Sequence, residues 1–354
     1  MFARRAGEPL TRTRIIAWLT ALLVVELLVA MAALAIGSSG ALLGEVIAWV
    51  SGDELSATTR AILFDARLPR VWFAAITGCA LATSGAVFQA VLRNPLADPY
   101  VLGISSGAAL CATLFLALGI TQIGGALLGA PLFALGGAAL SLLILLGAQR
   151  WAPPGRDGVY VLLLTGVIFN AFASALITFL KAIVSAQKAQ ELLFYLMGSL
   201  SVEGLDTTTM LACTAVVSAV TCALFWFSRD LNLLSLGDQD AEALGVNARG
   251  VRRWVVGLAS ISVAVAVAYT GLIGFVGLVI PHGLRLLLGP DHRLLLPACA
   301  LGGASFLTFC DLLARGCFEW FSMTLPVGVV TSIIGAPLFV FLLRRSMMGT
   351  RGVR

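Results

Sequence analysis

Charge is scarce in this sequence. Only 12% of its 354 residues are Asp, Glu, Lys or Arg, 59% are hydrophobic, and the mean hydropathy is +0.99. A soluble domain of this length normally carries about twice that charged fraction, so the composition excludes a soluble protein. It predicts an all-α, polytopic membrane protein with a single domain over residues 1–354.

Motifs for nucleotide binding and for zinc-dependent hydrolysis are also missing. The only lysines are Lys181 and Lys188, and neither follows a glycine, so the phosphate-binding loop G-x-x-x-x-G-K-[ST] is absent. The zinc motif H-E-x-x-H is absent as well. Residues 103–107, GISSG, match the hydrolase pattern G-x-S-x-G, but they open an apolar run and are interpreted as the start of a membrane span. We therefore expect no enzymatic activity and no cofactor in this chain itself.

Clusters of metal ligands are lacking too. The sequence has two histidines, and its seven cysteines are scattered without a C-x-x-C pair. Metal sites need several such ligands at suitable spacing, and an odd number of cysteines gives no disulfide framework. We expect no metal site and interpret the cysteines as small packing residues. They are Cys79, Cys111, Cys213, Cys222, Cys299, Cys310 and Cys317.

What the sequence does have is a series of long apolar runs. A helix needs roughly 20 apolar residues to cross a hydrocarbon layer about 30 Å thick, and ten stretches approach or exceed that length. The predicted spans are 15–36, 71–92, 99–118, 124–147, 159–180, 208–227, 254–272, 273–288, 294–316 and 325–343.

Two of these spans leave an alternative open. The first follows Arg12 and Arg14 as a signal peptide would, but its apolar run is longer than that of a signal peptide, so we interpret it as a retained helix. The eighth, 273–288, is the shortest and contains Pro281, so it is either a full span or a bent and partly inserted one.

The basic residues are distributed unevenly between the two sides. With an inner N-terminus, 17 of the 23 Lys and Arg residues fall on the inner side, and the even number of spans returns the C-terminus to it. Because basic residues accumulate on the cytoplasmic side, both tails, 1–14 and 344–354, are predicted to be cytoplasmic. The net charge of +5 reflects this bias and does not indicate a nucleic-acid partner. The six outer basic residues are Arg60, Arg67, Arg70, Lys181, Lys188 and Arg315.

Ionisable residues within the predicted spans are rare. Carriers driven by ion gradients place such residues along a relay, whereas here only Glu26 lies well inside a span, with Asp311 near the end of another. Glu26 is either part of a relay or a hydrogen-bonded side chain facing a neighbouring helix, and the second interpretation is favoured. The energy for transport is therefore expected from outside the chain.

Small and polar residues recur at four-residue spacing. Gly78, Ala82 and Ala86 would let the second span approach its neighbours closely. The fifth span carries a polar stripe, since positions four apart drift by only about 40° on a helix. In lipid, such a stripe is either a contact between helices or the wall of a translocation path. The stripe consists of Gly166, Asn170, Ser174 and Thr178.

Four stretches together resemble one family of membrane proteins. They are RLPR with the downstream GCALATSGAVFQAVLRNPLADPYVLGISSGAAL, then LNLLSLGDQDAEALGV, then GLIGFVGLVIPHGLRLLLGPDHRLLLPACALGGASFLTFCDLLAR, and finally LPVGVVTSIIGAPLFVFLLRR. Their order and spacing resemble the FecCD-type permease subunits of ATP-driven importers for vitamin B12, iron-siderophores and haem.

The resemblance implies a ten-helix permease in the bacterial inner membrane that pairs with a second copy of itself. It further implies two cytoplasmic ATP-binding subunits, which hydrolyse ATP in place of this chain, and a periplasmic substrate-binding protein. The implied cargo is a metal chelate, and the shared motifs leave iron-siderophore, haem and cobalamin open. The residues alone also allow a secondary, ion-coupled transporter without an ATPase partner, although the sparse intramembrane charge argues against it, or a structural membrane subunit.

The resemblance assigns docking residues at the outer side. Arg67, Arg70 and Arg315 match the arginines that receive carboxylates of the binding protein. The guanidinium group suits this role because it binds a carboxylate through two parallel hydrogen bonds. The alternative is an arginine that reaches the headgroup region from a helix end.

The resemblance also assigns a coupling segment and a gate at the inner side. Segment 231–246 is acidic on an otherwise basic face and matches the coupling helices that contact the ATPase. RNPLADP matches the cytoplasmic gate, together with the loop before the fifth span, which departs from the hydroxyl-rich version of some members. The coupling residues are Leu236, Gly237, Ala241, Leu244 and Gly245. The gate residues are Asn94, Pro95, Leu96, Val159 and Tyr160.

Overall fold

The computed structural model describes residues 11–37, 43–52, 54–100, 102–119, 126–150, 158–200, 206–317 and 324–351. Regular structure in this part of the chain is helical throughout, which confirms the predicted all-α class. The helices are α1 (Arg12–Ala35), α2 (Leu43–Val50), α3 (Ala57–Ala61), α4 (Leu68–Val91), α5 (Ile104–Leu118), α6 (Ala126–Arg150), α7 (Gly158–Ile183), α8 (Ala186–Met197), α9 (Thr207–Trp226), α10 (Ser228–Leu234), α11 (Asp238–Ala243), α12 (Ala248–Thr270), α13 (Val276–Leu288), α14 (His292–Gly316) and α15 (Val327–Arg351). A π-helical segment, Ile62–Arg67, joins α3 to α4.

Eight helical stretches in the described ranges are long and apolar enough to cross a membrane. Two further apolar helices, α5 and α13, have only 15 and 13 residues. Taken together, these ten stretches match the ten predicted spans in order. The predicted N-terminal tail, 1–14, is described only from residue 11 onward. In the predicted C-terminal tail, 344–354, helix α15 continues as far as Arg351, and residues 352–354 lie outside the described part.

The third predicted span starts later than the sequence indicates. It was expected from residue 99, but α5 begins at Ile104. Asn94 accepts a hydrogen bond through Oδ1 from the backbone N–H of Leu96 at 2.9 Å, and Asp98 does the same for Tyr100 at 2.9 Å. Such side-chain turns compete with the helix, and two prolines in the same stretch reinforce them.

The eighth predicted span is a short helix. The backbone leaves α12 at Gly271, with φ of 68°, and enters α13 through Phe275, with φ of 69°. Residues 271–275 are therefore unwound, and α13 covers only about 20 Å at 1.5 Å per residue. This length falls short of a full crossing of the hydrocarbon layer.

Helix α4 lies at the centre of the fold. In α4, 17 of the 24 residues are buried, compared with two of the 24 in α1. Glycines bring α4 against its neighbours, because a Cβ atom at Gly78 would overlap the carbonyl oxygen of Gly303 in α14. A Cβ at Gly85 would likewise overlap the carbonyl of Gly277 in α13. The backbone of α4 thus approaches α13 and α14 closely at small residues, as predicted for this span.

Helix α1 packs along α14. Glu26 faces this contact and lies beside Ser305 of α14. The Oε2 atom of Glu26 is buried without a partner among the described residues. This position agrees with the favoured interpretation of Glu26 as a side chain that contacts a neighbouring helix.

The two ends of the helical bundle hold different functional candidates. At one end lie α10, α11 and the start of α14, where Asn232 donates a hydrogen bond to Asp291 and accepts one from the backbone N–H of His292, both at 2.9 Å. The charge distribution assigns this end to the cytoplasm, and we call it the inner end. The opposite end, which holds the end of α1 and the start of α4, is called the outer end.

Candidate functional site

The gate loop, residues 92–100, is a compact turn at the inner end. Arg93 adopts a left-handed conformation, with φ of 49°, and the backbone N–H of Ala97 donates to the carbonyl of Asn94 at 3.0 Å. Asn94 is half-buried and shapes the turn, whereas Pro95 is exposed and Leu96 is 45% exposed. The three predicted gate residues therefore form one turn whose tip faces solvent.

Asp98 is the buried carboxylate of the gate loop. Burial raises the pKa of Asp98 to about 6, although the hydrogen bond from the Tyr100 backbone N–H opposes this shift. The hydrogen bond that it accepts from the Tyr100 backbone N–H fixes the turn before α5.

The polar stripe of α7 meets the gate loop at one end only. Asn170 donates a hydrogen bond through Nδ2 to the carbonyl of Tyr100 at 2.6 Å and accepts one from the hydroxyl of Ser106 in α5. Ser174 and Thr178 are exposed, and Thr178 donates to the carbonyl of Ser174. Asn170 therefore joins helices, whereas for the exposed pair, Ser174 and Thr178, the wall of a translocation path stays a prediction.

The second predicted part of the gate is at the start of α7. Tyr160 is 59% exposed. The backbone of Val159 belongs to α7, but its side chain lies outside the described part of the structure. Gly166, four residues before Asn170, is buried, and its carbonyl oxygen would lie 3.3 Å from a Cβ atom at Gly103.

The coupling segment, residues 231–246, contains the second half of α10 and the whole of α11. The turn between these helices includes Gly237, which has φ of 136°. Leu236 and Leu244 are 60% and 61% exposed, and Gly245 is exposed as well. Ala241 is fully buried. Of the predicted ATPase contacts, two leucines and Gly245 are thus accessible, while Ala241 and Gly237 pack inside the segment.

Asp238 joins the coupling segment to the gate loop. Its Oδ1 atom lies 2.5 Å from Nη2 of Arg252 in α12 and 3.9 Å from Nη2 of Arg93 in the gate loop. Partial burial by itself raises the pKa of Asp238. The hydrogen bond and charge of Arg252, together with the charge of Arg93, outweigh this effect and lower the pKa below its usual value. An anion therefore lies between two arginines from different elements. The sequence signal for this contact is weak: one acidic residue in the coupling segment and one arginine beside the gate motif.

The outer end holds a cluster of three arginines around Asp311. Arg67 donates to the carbonyl of Leu34 at 2.7 Å and Arg315 to that of Ala33 at 3.1 Å, so both satisfy carbonyl groups in the last turn of α1. Asp311, which is fully buried, lies 2.9 Å from Arg70 and 3.0 Å from Arg315. The role of Asp311 was not predicted.

Burial separates the three predicted docking arginines. Arg67 and Arg315 are each only 4% exposed, and the side chain of Arg70 is 21% exposed. In this structure, an incoming carboxylate can therefore reach Arg70 most readily. Arg67, which directly precedes α4, and Arg315 of α14 are hydrogen-bonded to the end of α1, and docking at these two residues stays a prediction.

A further polar contact, absent from the sequence predictions, links α4 to α13. Gln89 donates to the carbonyl of Leu278 at 3.2 Å, and Arg285 donates to Oε1 of Gln89 at 3.0 Å. Among the described residues, no group of three or more His, Cys, Asp and Glu side chains is placed to hold a metal ion.

Comparisons with known proteins place the chain in a family of transport proteins. Residues 5–345 match the model of the FecCD transport family. The chain is 40% identical to the hemin transport system permease protein of Yersinia pestis over 293 residues, which are 80% of this chain and 83% of that protein. It is 38% identical over 336 residues to the vitamin B12 import system permease protein of Salmonella paratyphi A, with 94% of this chain and 96% of that protein covered.

One solved structure is similar over nearly its whole length. It shows an inward-facing conformation of a transporter assigned to the metal-chelate type of ABC transporters, with a TM-score of 0.80 and 31% identity. The match covers 92% of this chain and 98% of the other.

Proposed function

The chain is a multi-pass membrane permease of the FecCD transport family, and from this premise we propose that it moves a metal chelate from a periplasmic binding protein into the cytoplasm, driven by separate ATPase subunits. The cargo class is supported by the names of the similar permeases, which refer to hemin and vitamin B12. Iron-siderophore, haem and cobalamin all fall within this class.

The observation that carries the proposal is the ion-paired contact at Asp238. A transporter driven by an external ATPase must transmit movement from the surface that the ATPase contacts to the gate. Here one carboxylate on the coupling segment lies between Arg252 of α12 and Arg93 of the gate loop. Displacement of α10 and α11 by the ATPase would therefore displace the gate loop with them.

The proposed ATPase contact is the exposed face of the coupling segment. Leu236 and Leu244 offer apolar side chains to a groove on the partner, as interface anchors commonly do. Ala241 and Gly237, buried between α10, α11 and α12, hold the segment in shape. Direct contact with the ATPase is thus proposed for the two leucines and Gly245, whereas the two buried residues stabilise the segment that presents them.

Two copies of the chain are proposed to enclose the path. The exposed hydroxyl groups of Ser174 and Thr178 lie on the same helix as Asn170, which contacts the gate loop. A path should offer weakly interacting groups, since it must release the cargo that it accepts. We propose that these hydroxyls face the path, across which the α7 helix of a second copy lies.

Docking of the binding protein is proposed at Arg70. Its guanidinium group already lies 2.9 Å from Asp311, which orients it at the start of α4, and part of it remains exposed. Arg67 and Arg315 fix the neighbouring end of α1 and thereby the position of Arg70. The bacterial inner membrane, with the binding protein on the periplasmic side, fits this arrangement.

The proposal is tested with the Asp238→Asn variant in proteoliposomes that also contain the ATPase subunits and the binding protein. Removal of the charge at 238 weakens two contacts of the coupling segment, and a charge-assisted hydrogen bond contributes about 1.5–3 kcal/mol. We expect cargo uptake per ATP hydrolysed to fall by about tenfold, while hydrolysis itself continues.

Asp240→Asn is the matched control, since Asp240 is exposed in the same helix and makes no ion pair within the described ranges. Arg93→Gln tests the same contact from the gate side without leaving Arg252 unpaired. Unchanged coupling in both Asp238→Asn and Arg93→Gln would refute the contact as the transmitting element. Uptake without the ATPase would refute the permease mechanism as a whole.

A further inference from the structure

A groove at the inner end is not used by the proposed transport mechanism. Its volume is about 770 Å³, and it is bounded by α1, by the junction of α9 and α10, and by the start of α14. Both α1 and α9 pack on α14, so the first turns of α14 lie between them. The groove is thus on the outside of the helical bundle, away from α7 and the polar stripe.

The groove has apolar walls. They are formed by Ile15 and Leu19 of α1, Phe225 and Trp226 of α9, and Pro297 of α14. Trp226 is 85% exposed although it is the largest of these side chains. Tryptophan is enriched where a membrane meets water, and this one ends a membrane-spanning helix at its inner end.

Basic side chains line the rim of the groove. Arg229 and Arg293 both contribute, together with a single carboxylate, Asp230. Arg293 is paired with Asp291, with 2.6 Å between Nη2 and Oδ2. Arg229 is exposed and makes no ion pair with any described residue. A cation without an ion-pair partner among the described residues therefore lines an apolar cleft.

This combination fits one class of molecule. An apolar cleft beside two membrane-spanning helices, with arginines among its lining residues at the inner end, is complementary to a lipid with an anionic headgroup. A soluble anion would use the arginine but leave the apolar walls unoccupied. A zwitterionic lipid would use the walls but gain less from Arg229.

We propose that this groove binds an anionic glycerophospholipid of the cytoplasmic leaflet, with its phosphate against Arg229 and Arg293 and an acyl chain between α1 and α9. The lipid would fill the space between two helices that both pack on α14. Its failure would leave the transport proposal unaffected, because none of these residues belongs to the gate, to the coupling segment 231–246 or to the docking cluster. Arg229 and Asp230 precede that segment in α10.

The test is native mass spectrometry of the purified transporter complex with dioleoyl phosphatidylglycerol as the probe and dioleoyl phosphatidylcholine as the comparison. We expect bound phosphatidylglycerol on each copy of the permease and much less phosphatidylcholine. One arginine near an anionic lipid surface contributes about 1 kcal/mol, so Arg229→Gln should weaken binding of the phosphatidylglycerol about fivefold. Arg229→Lys, which keeps the charge, should retain most of it.

Arg253 and Trp254 provide a matched control pair. They are exposed in α12 near the inner end but do not line the groove. Arg253→Gln and Trp254→Leu should leave binding unchanged, whereas Trp226→Leu should weaken it. The proposal would be overturned if the groove and control variants lost binding equally, or if both lipids were retained equally. It would also be overturned if glycerol 3-phosphate displaced the bound phosphatidylglycerol. The last result would indicate a site for a small soluble anion.

Discussion

The arginines at the outer end show how depth decides what a charged residue can do. Arg315 is almost fully buried. It donates a hydrogen bond to a carbonyl group at the end of α1 and forms an ion pair with Asp311. Arg70 shares the same carboxylate but keeps part of its guanidinium group in solvent. A buried ion pair costs much to break, because the remaining charge is left without a partner in a medium of low dielectric constant. An exposed one can exchange partners.

This difference predicts opposite phenotypes for the same substitution. Arg315→Gln should lower the melting temperature of the purified permease, since it leaves part of the Asp311 charge uncompensated at a cost of about 3 kcal/mol. Arg70→Gln should change the melting temperature less and weaken binding of the loaded binding protein about tenfold or more, as loss of a charge-assisted hydrogen bond does. Thermal unfolding and surface-immobilised binding measure the two effects.

Arg60 is the control for both measurements, because it is an outer arginine that is exposed and lies outside the cluster. Arg60→Gln should leave stability and binding unchanged. Should Arg70→Gln bind its partner normally, Arg70 would have only the structural role of Arg67 and Arg315.

The sequence predicted which residues lie at each end, but not which of them contact one another. The inner position of Arg93 and the acidic character of segment 231–246 were readable from composition. The contact between Arg93 and Asp238 joins residues far apart in the chain, and it depends on how α4, α11 and α12 pack. The burial of Arg315 depends in the same way on carbonyl groups of α1, which no pattern near Arg315 indicates.

At the scale of elements, helix packing depends on where side chains are missing. In lipid, helices gain no hydrophobic free energy from association, so close van der Waals contact stabilises the bundle. Gly78 and Gly303 allow the backbones of α4 and α14 to touch, because a Cβ on either would overlap the other's carbonyl. This contact places Asp311 of α14 beside Arg70 of α4.

Gly78→Ala should therefore destabilise the permease even though alanine favours helix formation. Its Cβ atom overlaps backbone, which cannot move aside as a flexible side chain can, and overpacking of this kind costs about 1–3 kcal/mol. Gly136→Ala in α6 is the matched control, since nothing lies within 4 Å of a Cβ there. That variant should be neutral or stabilised by up to about 1 kcal/mol.

Melting temperatures of the two variants in the same detergent measure the difference. If Gly78→Ala and Gly136→Ala changed the melting temperature by a similar amount, α4 and α14 could separate at no cost in free energy. That result would contradict the close backbone contact between these helices.

Element boundaries were predicted less well than element number. The ten apolar runs depend only on the local composition of the chain, so the number of spans could be predicted from the sequence. The start of α5 at Ile104 depends on hydrogen bonds of Asn94 and Asp98 to their own backbone, and the start of α13 on the left-handed conformation of Phe275. Helix α8 was not predicted, since it is too short for a span and begins with a polar turn capped by Ser185.

At the scale of the whole molecule, the exposed surface of the helical bundle has two kinds of face. Helix α1 presents apolar side chains such as Leu28, which is 60% exposed and suits contact with lipid. Helix α7 presents exposed hydroxyl groups, Ser174 and Thr178, among its apolar side chains. Hydroxyl groups gain nothing from lipid contact, so this face should meet water in the path between two copies.

Cysteine accessibility distinguishes the two faces. Cysteines introduced by Ser174→Cys, Thr178→Cys and Leu28→Cys, in a background where the seven native cysteines are replaced, would be treated with a water-soluble maleimide in membrane vesicles. Only the thiolate reacts, and a thiol in lipid stays protonated. We expect the two α7 positions to react at least about tenfold faster than position 28, because their thiols are hydrated. Equal, slow labelling at all three would place α7 against lipid and require a different helix to line the path.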